Sequence, residues 1–300
     1  MTENTQLIDT ELNGSLRGKS KGQFRIFLEQ YIKNVPATIG AIVFILIFIA
    51  CMAAPLLTTY DPIKQNLSQA LQEPSTEHLL GTDYLGRDIL TRLLYGGRLS
   101  LTIGFLAVGL GLLVGVTLGA ISGFFGGWID MIIQRLADIL LSFPSFLLAL
   151  TLVSLLGIGV RNVVISVGIL AIPSFIRLVR GSVLSQREML YVEAAESIGA
   201  KKGYVIFRHI LPNAMAPVII NASLNMGYAI TTAAGLGFLG VGVPPSTPEW
   251  GMMLGEAKTY IFSHSFMLIH PAIAIFITIV CLNLIGDGLR DALDPHTKHR

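Results

Sequence analysis

Histidines, cysteines and acidic residues are the side chains that bind metals or catalyse reactions, and their spacing in this sequence favours neither role. The six histidines are dispersed without the short intervals of a zinc motif. Cys51 and Cys281 each lie inside an apolar run, so no disulfide is indicated. No nucleophile, base and orienting group fall together along the chain. We therefore expect no metal site, no cofactor and no catalytic residue.

A glycine-rich stretch near the amino terminus resembles a nucleotide-binding loop. Residues 14–20 read GSLRGKS, but such a loop needs a second glycine five residues before Gly18, and Asn13 occupies that position. We expect the chain itself not to bind nucleotides.

Residues 191–199, which read YVEAAESIG, combine acidic and small residues as a short amphipathic helix does. At about 100° per residue, one face carries Tyr191, Ala194, Ala195 and Ile198. Glu193 and Glu196 point away from that face. Two successive alanines allow a close backbone approach, and the carboxylates can meet basic groups, which favours a docking element. A helix lying on the membrane surface is the alternative.

Gly199 and Pro212 indicate where the helices of this segment end. Glycine tolerates the left-handed conformation just past a helix end, and proline cannot continue a preceding helix without losing a hydrogen bond. The sequence therefore predicts a helix, a turn and a second short helix.

The surrounding chain has the composition of a membrane protein. Hydrophobic residues make up 52% of it and charged residues 13%, about half the charged share of a soluble domain. Six apolar runs are long enough, or nearly so, to cross a bilayer. They fall at residues 37–57, within 99–122, 137–156, 162–176, within 217–240, and 266–285. Pro144 predicts a kink in the third run, and Arg161 and Arg177 must snorkel from the short fourth run.

The distribution of lysine and arginine predicts the orientation of these spans. With the amino terminus inside, the inner segments hold fifteen basic residues and the outer segments six. Because positive charge is retained in the cytoplasm, both termini are expected there. The net charge of +2 and the scattered basic residues give no reason to expect nucleic acid as a partner.

Two spans carry patterns that could serve packing or function. The second span has glycines at four-residue spacing, a stripe that favours helix packing within the chain over a subunit interface. These are Gly111, Gly115, Gly119 and Gly123, with Gly127 one step further. The fifth span has polar residues that could line a wet pathway or form ordinary interhelical hydrogen bonds. They are Asn221, Ser223, Asn225, Thr231 and Thr232.

Charged residues also lie where spans begin or end. Leu85, Ile89 and Leu93 recur every four residues, and Asp88 and Arg92 are one turn apart, which predicts an interfacial helix with an ion pair. At the carboxyl end the charges could anchor the membrane edge or meet a partner. These are Asp287, Arg290, Asp291 and Asp294.

Four segments together resemble the permeases of bacterial ABC importers, specifically the C-type subunits of the dipeptide, oligopeptide and nickel family. The permease loop pattern is E-A-A-x(3)-G-x(9)-I-x-L-P, and His209 replaces its isoleucine. The residues that match in register are Glu193, Ala194, Ala195, Gly199, Leu211 and Pro212. The other similar segments are LGTDYLGRD at 80–88 with YGGRLSL at 95–101, PPSTPEWGMML at 244–254, and NLIGDGLRDALDP at 283–295.

This resemblance implies an all-α membrane protein with six transmembrane helices in the type I ABC importer architecture. It also implies that the chain pairs with a homologous B-type permease subunit and docks one or two ATP-binding subunits, which hydrolyse ATP. An extracytoplasmic solute-binding protein would deliver a peptide-like substrate. The matched residues of the loop would couple ATPase motion to the path across the bacterial plasma membrane.

The expected organisation has one transmembrane domain with short ends. Residues 1–36 form a cytoplasmic tail, 37–57 the first transmembrane helix, and 58–98 an outer loop with the interfacial helix. Residues 99–290 form the core permease domain with a coupling loop at 177–215, and 291–300 form a second cytoplasmic tail. Glutathione and nickel chelates are alternative substrates. An ion-coupled secondary transporter is the alternative class, but the first, second and fifth spans lack charged residues.

Overall fold

The computed structural model describes residues 23–293, with side chains from residue 27 onwards. The stretch 14–20, Asp294 and most of both predicted tails lie outside the described residues. The described chain is built from helices, and one isolated β-bridge joins Thr82 and Asp88 in the loop before the second span.

The helices are numbered in chain order. They are α1 (Gln23–Lys33), α2 (Val35–Met52), α3 (Ala54–Leu57), α4 (Ile89–Phe125), α5 (Gly127–Ser142), α6 (Ser145–Leu156), α7 (Val160–Arg187), α8 (Leu190–Ser197), α9 (Lys202–Tyr204), α10 (Leu211–Phe238), α11 (Trp250–Ala257) and α12 (Phe266–Leu293). A π-helical stretch, Val205–Ile210, joins α9 to α10.

All six predicted spans correspond to helices in the structure. Five helical stretches are long and apolar enough to cross a membrane: α2, α4, α7, α9 to α10 taken together, and α12. The short fourth run is part of α7, whose 28 residues extend well past Arg177. The third run is a broken helix, because α5 and α6 meet at Phe143 and Pro144 with a bend of 93°. Counting that pair as one span gives six.

The predicted interfacial helix is not a separate element. Helix α4 begins at Ile89, because Asp88 caps it by accepting a hydrogen bond from the Thr91 N–H at 2.7 Å, and it continues without a break for 37 residues. The predicted ion pair between Asp88 and Arg92 is wrong. Asp88 pairs with His78 at 2.9 Å, whereas Arg92 reaches Glu256 at 2.8 Å.

The glycine stripe of α4 packs against α7, which confirms the prediction of packing within the chain. A Cβ added to Gly115 would lie 2.5 Å from the Cβ of Phe175, so the two helices approach more closely than any larger residue allows. Gly111, Gly119 and Gly123 are equally constrained by α7. Gly127 lies outside the stripe, because it begins α5 with φ of +57° and open space around it.

Charged side chains are buried where the outer loop, α4 and α11 meet. Arg87 contacts Asp83 at 2.6 Å and Glu256 at 2.8 Å, and Arg92 contacts Asp83 at 3.4 Å as well as Glu256. Two guanidinium groups thus alternate with two carboxylates. We call these four residues the outer charge cluster. It joins the loop before α4 to a helix about 170 positions later in the chain.

The proline-rich segment 244–254 leads into α11 at the same end. Glu249 caps α11 by accepting hydrogen bonds from the N–H groups of Gly251 at 3.0 Å and Met252 at 2.8 Å, and from the Ser100 hydroxyl at 2.7 Å. The Trp250 indole N–H donates to the Leu93 carbonyl at 2.8 Å. Complete burial raises the pKa of the Glu249 carboxyl above its ordinary value.

Candidate functional site

The inner segment between α7 and α10 carries the predicted docking helix. Helix α8 covers Leu190–Ser197, and Gly199 follows it with φ of +81°. The Gly199 N–H donates to the Glu196 carbonyl at 2.9 Å and the Ala200 N–H to the Ala195 carbonyl at 3.1 Å. This pattern is a Schellman helix end, in which the left-handed residue favours glycine. The structure confirms the predicted backbone conformation of Gly199.

The two successive alanines of α8 have different surroundings. Val192 and Ala195 are buried against the body of the protein, whereas Ala194 is exposed. Leu190 and Ile198 share the exposed side of Ala194 and are 82% and 86% exposed. The predicted single face of Tyr191, Ala194, Ala195 and Ile198 is therefore divided between the interior and the surface. Neighbouring residues lie about 100° apart, so Ala195 turns inward while Ala194 turns outward.

Glu193 and Glu196 are exposed, and so are Lys201, Lys202 and Arg208 in the following turn and π-helical stretch. Apolar and charged groups of both signs thus surround the outward face of α8. We call this exposed surface the inner face of α8, because it belongs to the end of the molecule expected to face the cytoplasm. It is formed by Leu190, Glu193, Ala194, Ser197 and Ile198.

Pro212 does not end a second short helix, contrary to the sequence-based prediction. The chain is helical from Lys202 to Phe238, and Pro212 lies in the first turn of α10, directly after the π-helical stretch. In a first turn the missing N–H of proline is not needed. The Asn213 side chain donates to the His209 carbonyl at 2.8 Å, which satisfies an acceptor at this junction. Leu211, the other matched residue of the pattern, begins α10.

Tyr191 connects α8 to the two long helices on either side of it. Its hydroxyl donates to the Gln186 side-chain carbonyl of α7 at 2.7 Å and accepts from the Asn213 amide of α10 at 3.4 Å. A displacement of α8 would therefore act on both helices.

The polar residues of the fifth span are found along α10. Asn221 donates to the Ser174 hydroxyl of α7 at 3.1 Å, and Ser223 donates to the Leu282 carbonyl of α12 at 2.8 Å. The side chains of Asn225, Thr231 and Thr232 bond to carbonyls one turn earlier in α10. Thr231 is exposed and Thr232 is buried. Helix-to-helix and backbone hydrogen bonds thus engage these groups, and no contact assigns them to a pathway.

Two ion pairs between α5 and α7 were not predicted. Arg180 binds both oxygens of Asp130 at 2.6 Å, and Arg177 binds Asp138 at 2.7 Å. The available signal was the presence of opposite charges at the ends of two neighbouring apolar runs. Because the partners are 39 and 50 positions apart, no local periodicity could pair them.

The structure thus defines a polytopic helical protein whose inner loop presents a short helix with an exposed apolar and acidic face. The family described as binding-protein-dependent transport system inner membrane component matches residues 115–299. The N-terminal TM domain of oligopeptide transport permease C matches residues 22–74. The chain belongs to the binding-protein-dependent transport system inner membrane components, the permease subunits of ABC importers, and is a multi-pass protein of the bacterial inner membrane.

Curated relatives cover nearly the whole chain. A dipeptide transport system permease protein of Alkalihalophilus pseudofirmus is 47% identical over 92% of this chain and 90% of the relative. A glutathione transport system permease protein of Pectobacterium atrosepticum is 44% identical over 95% of this chain and 93% of the relative.

The fold also resembles a solved transporter. A chain of the inward-facing MetNI methionine ABC transporter aligns with a TM-score of 0.57 and 17% identity, over 69% of this chain and 98% of that one. This likeness confirms the fold.

Proposed function

We propose that this chain forms, with a homologous permease subunit, the translocation path of an importer for small peptides. An extracytoplasmic solute-binding protein delivers the peptide, and one or two ATP-binding subunits hydrolyse ATP. The similarity to a dipeptide permease along nearly the whole chain supports the peptide substrate. The similar identity to a glutathione permease keeps that modified tripeptide as the second candidate. The relatives named above support these two substrates, so we propose neither nickel chelates nor ion-coupled transport.

Uptake by the assembled transporter in proteoliposomes distinguishes these substrates. With its own binding protein, we expect ATP-dependent accumulation of dialanine. Accumulation of glutathione alone, at matched concentration, would contradict the dipeptide assignment and favour the second candidate.

The inner face of α8 is proposed as the coupling surface. Its exposed leucine and isoleucine can enter an apolar groove of an ATP-binding subunit, and Glu193 can pair with a basic group at the edge. Glu193, Ala194, Ala195 and Gly199 build this element, and Leu211 and Pro212 join it to α10. The link from Tyr191 to Gln186 and Asn213 would pass the motion to α7 and α10.

Substitutions on this element should separate coupling from membrane insertion. Gly199→Val strains a backbone that has φ of +81°, although the space around it is open. Glu193→Lys reverses a charge on the docking face. We expect both variants to insert in the membrane and to lose transport, together with ATPase association or the ATPase stimulation caused by loaded binding protein. Glu188→Lys, an exposed charge change just before α8, is the control. Normal stimulated hydrolysis with altered substrate preference would refute the coupling role.

The orientation is tested by thiol labelling of intact cells and spheroplasts. Ser68 and Ser197 are both exposed, one in the loop before α4 and one at the end of α8. In a background lacking Cys51 and Cys281, Ser68→Cys should react with an impermeant reagent from outside, whereas Ser197→Cys should not. Labelling of both from outside would disprove the six-span topology.

A further inference from the structure

A cavity of about 480 Å³ opens at the inner end of the molecule between α7 and α10. Its volume falls within the ~300–1,000 Å³ of small-molecule sites. Its lining combines apolar surface with five polar side chains, which are Arg177, Ser182, Ser185, Gln186 and Asn213. The hydrogen bond between Asn221 and Ser174 lies one turn further toward the outer side. The Tyr191 hydroxyl of α8 bonds to Gln186 and Asn213 at the inner side. We call this space the inner cavity.

Arg177 is the one cation among the described residues that line the inner cavity, and its ion pair with Asp138 differs from the neighbouring pair of Arg180 and Asp130. Arg180 and Asp130, one turn along α7, form two hydrogen bonds, and Ser122 also donates to Asp130. Their side chains are 34% and 19% exposed. Arg177 and Asp138 share one hydrogen bond, and their side chains are 53% and 47% exposed. The pair of Arg180 and Asp130 has the geometry of a structural ion pair. In the second pair, most N–H donors of Arg177 remain open to a ligand.

The depth of Arg177 decides what its exposed half can face. It lies 17 residues after the start of α7, which is about 26 Å along the helix axis. The hydrocarbon layer is ~30 Å thick, so an untilted α7 would place the pair near the inner margin of that layer. Charged groups at such a depth face water or another polar group rather than acyl chains. The inner cavity is the open space through which water can reach this pair.

From this geometry we infer that the inner cavity is a substrate vestibule of the path and that Arg177 binds the carboxylate of the passing peptide. This inference rests on the proposed transport of peptides and adds a binding group to it. A guanidinium has five N–H donors in a planar fork that matches a carboxylate, and Asp138 engages one of its nitrogen atoms. Asp138 is the positioning residue: it holds the guanidinium and balances its charge while the vestibule is empty.

The vestibule also adjoins α8, the helix that carries the proposed coupling surface. Gln186 and Asn213 line the cavity and bond to Tyr191, so a movement of α8 changes the inner wall of the vestibule. Binding of the carboxylate and motion of α8 would then act on the same two helices. Arg177 would therefore bind the peptide at the inner end of the path, shortly before its release.

The electrostatic potential of the vestibule and its access to water are tested with Ser182→Cys in the assembled transporter lacking Cys51 and Cys281. In inside-out vesicles we expect this cysteine to react, and to react several-fold faster with an anionic than with a cationic methanethiosulfonate. Arg177→Gln should remove that preference. Arg161→Gln, an exposed arginine at the outer start of the same helix, should leave it unchanged. Thr117→Cys, on an exposed face of α4, should be unreactive if that face meets lipid.

The carboxylate is tested by protection of the same cysteine. Dialanine should slow the labelling of Ser182→Cys, and the carboxyl-terminal amide of dialanine should not. Arg177→Gln should abolish the protection, and Arg177→Lys should retain part of it, because a point charge remains without the fork. Asp138→Asn keeps the cation and should retain protection while increasing the preference for the anionic reagent.

The outcomes separate this inference from the proposed function. Equal protection by dialanine and its amide, or a reagent preference unaffected by Arg177→Gln, overturns the role of Arg177 even if dialanine is transported. Absence of dialanine uptake by the parent transporter refutes the dipeptide substrate instead, whatever the reagent preference shows. Equal loss of uptake of every substrate in Arg177→Gln and Arg177→Lys, with no change in labelling, would identify a structural contact with the second permease and also overturn the inference.

Discussion

The outer and inner ends of the molecule differ in how far their charged side chains are buried. At the outer end, Asp83, Arg87, Arg92 and Glu256 are largely buried and form ion pairs with one another across the loop, α4 and α11. At the inner end, the charges around α8 are exposed, and two large apolar side chains of that helix point away from the protein. The outer end is therefore a self-contained scaffold. The inner end is an exposed surface, on which we propose that an ATP-binding subunit docks.

Stability and transport should respond differently at the two ends. A change in the outer charge cluster leaves a buried charge without its partner, which costs folding free energy. A change at an exposed residue of α8 such as Glu193 removes no buried contact of the isolated chain, so its effect should appear in the assembled transporter. The predictions below test this contrast, beginning with the largest expected loss of stability and its matched substitution at the other end.

Glu256→Ala is expected to have the largest effect on stability. It removes the carboxylate that both Arg87 and Arg92 contact at 2.8 Å, and both guanidinium groups remain buried. Removing one member of a buried ion pair costs about 3–5 kcal/mol. Denaturant unfolding of the purified subunit in mild detergent measures this loss. Glu73→Ala, an exposed glutamate of the same loop, should change stability by less than about 0.5 kcal/mol.

The matched substitution at the inner end sharpens the comparison. Glu193→Ala should leave the unfolding free energy within about 0.5 kcal/mol of the parent while impairing transport. A loss of stability as large as that of Glu256→Ala would show that α8 is part of the folded scaffold, and the contrast between the two ends would fail.

Gly115→Ala tests the helix pair that joins the two ends. The added methyl group would lie 2.5 Å from the Cβ of Phe175 in α7, so the helices must separate or shift. Overpacking of this kind costs about 1–3 kcal/mol. Gly109→Ala on the same helix is the control, because no described atom lies within 4 Å of its added Cβ. If both variants unfold alike, close packing at Gly115 does not hold α4 against α7.

Features with a local cause could be predicted from the sequence. The apolar runs, the left-handed Gly199 and the glycine stripe each depend on one residue's conformation or on spacing within one helix. The face of Gly111 to Gly123 was predictable because four-residue spacing alone defines it. Gly199 was predictable because few other residues tolerate its backbone angle.

Features that join distant segments could not be predicted. Arg92 was expected to pair with Asp88 one turn away, but its partner Glu256 lies 164 positions later. Pro144 predicted the break that follows α5, but the pair of Arg177 and Asp138 depends on how α5 packs across α7, which no local pattern encodes. Pro212 misled for a related reason, because the π-helical stretch before it lets the chain continue as a helix. The sequence therefore predicted the short helix α8 and its glycine end, but not the cavity beside it.

The smallest expected effect concerns the pH dependence of the outer end, through Glu249. Burial raises the pKa of its carboxyl above the ordinary 4.5, so the folded state holds that proton more tightly than the unfolded state. This contribution to stability is complete below the unfolded pKa and is lost as the pH rises through the folded pKa. Glu249→Gln cannot ionise, and we expect its melting temperature to fall less than that of the parent as the pH is raised above about 4.5. At low pH the free energy of unfolding of the variant should be lower by about 1 kcal/mol, because the amide NH₂ cannot accept a hydrogen bond from the Met252 N–H. Glu193→Gln is the matched comparison at the exposed end. If the two substitutions change the curve equally, burial at the outer end is not the source of the pH dependence.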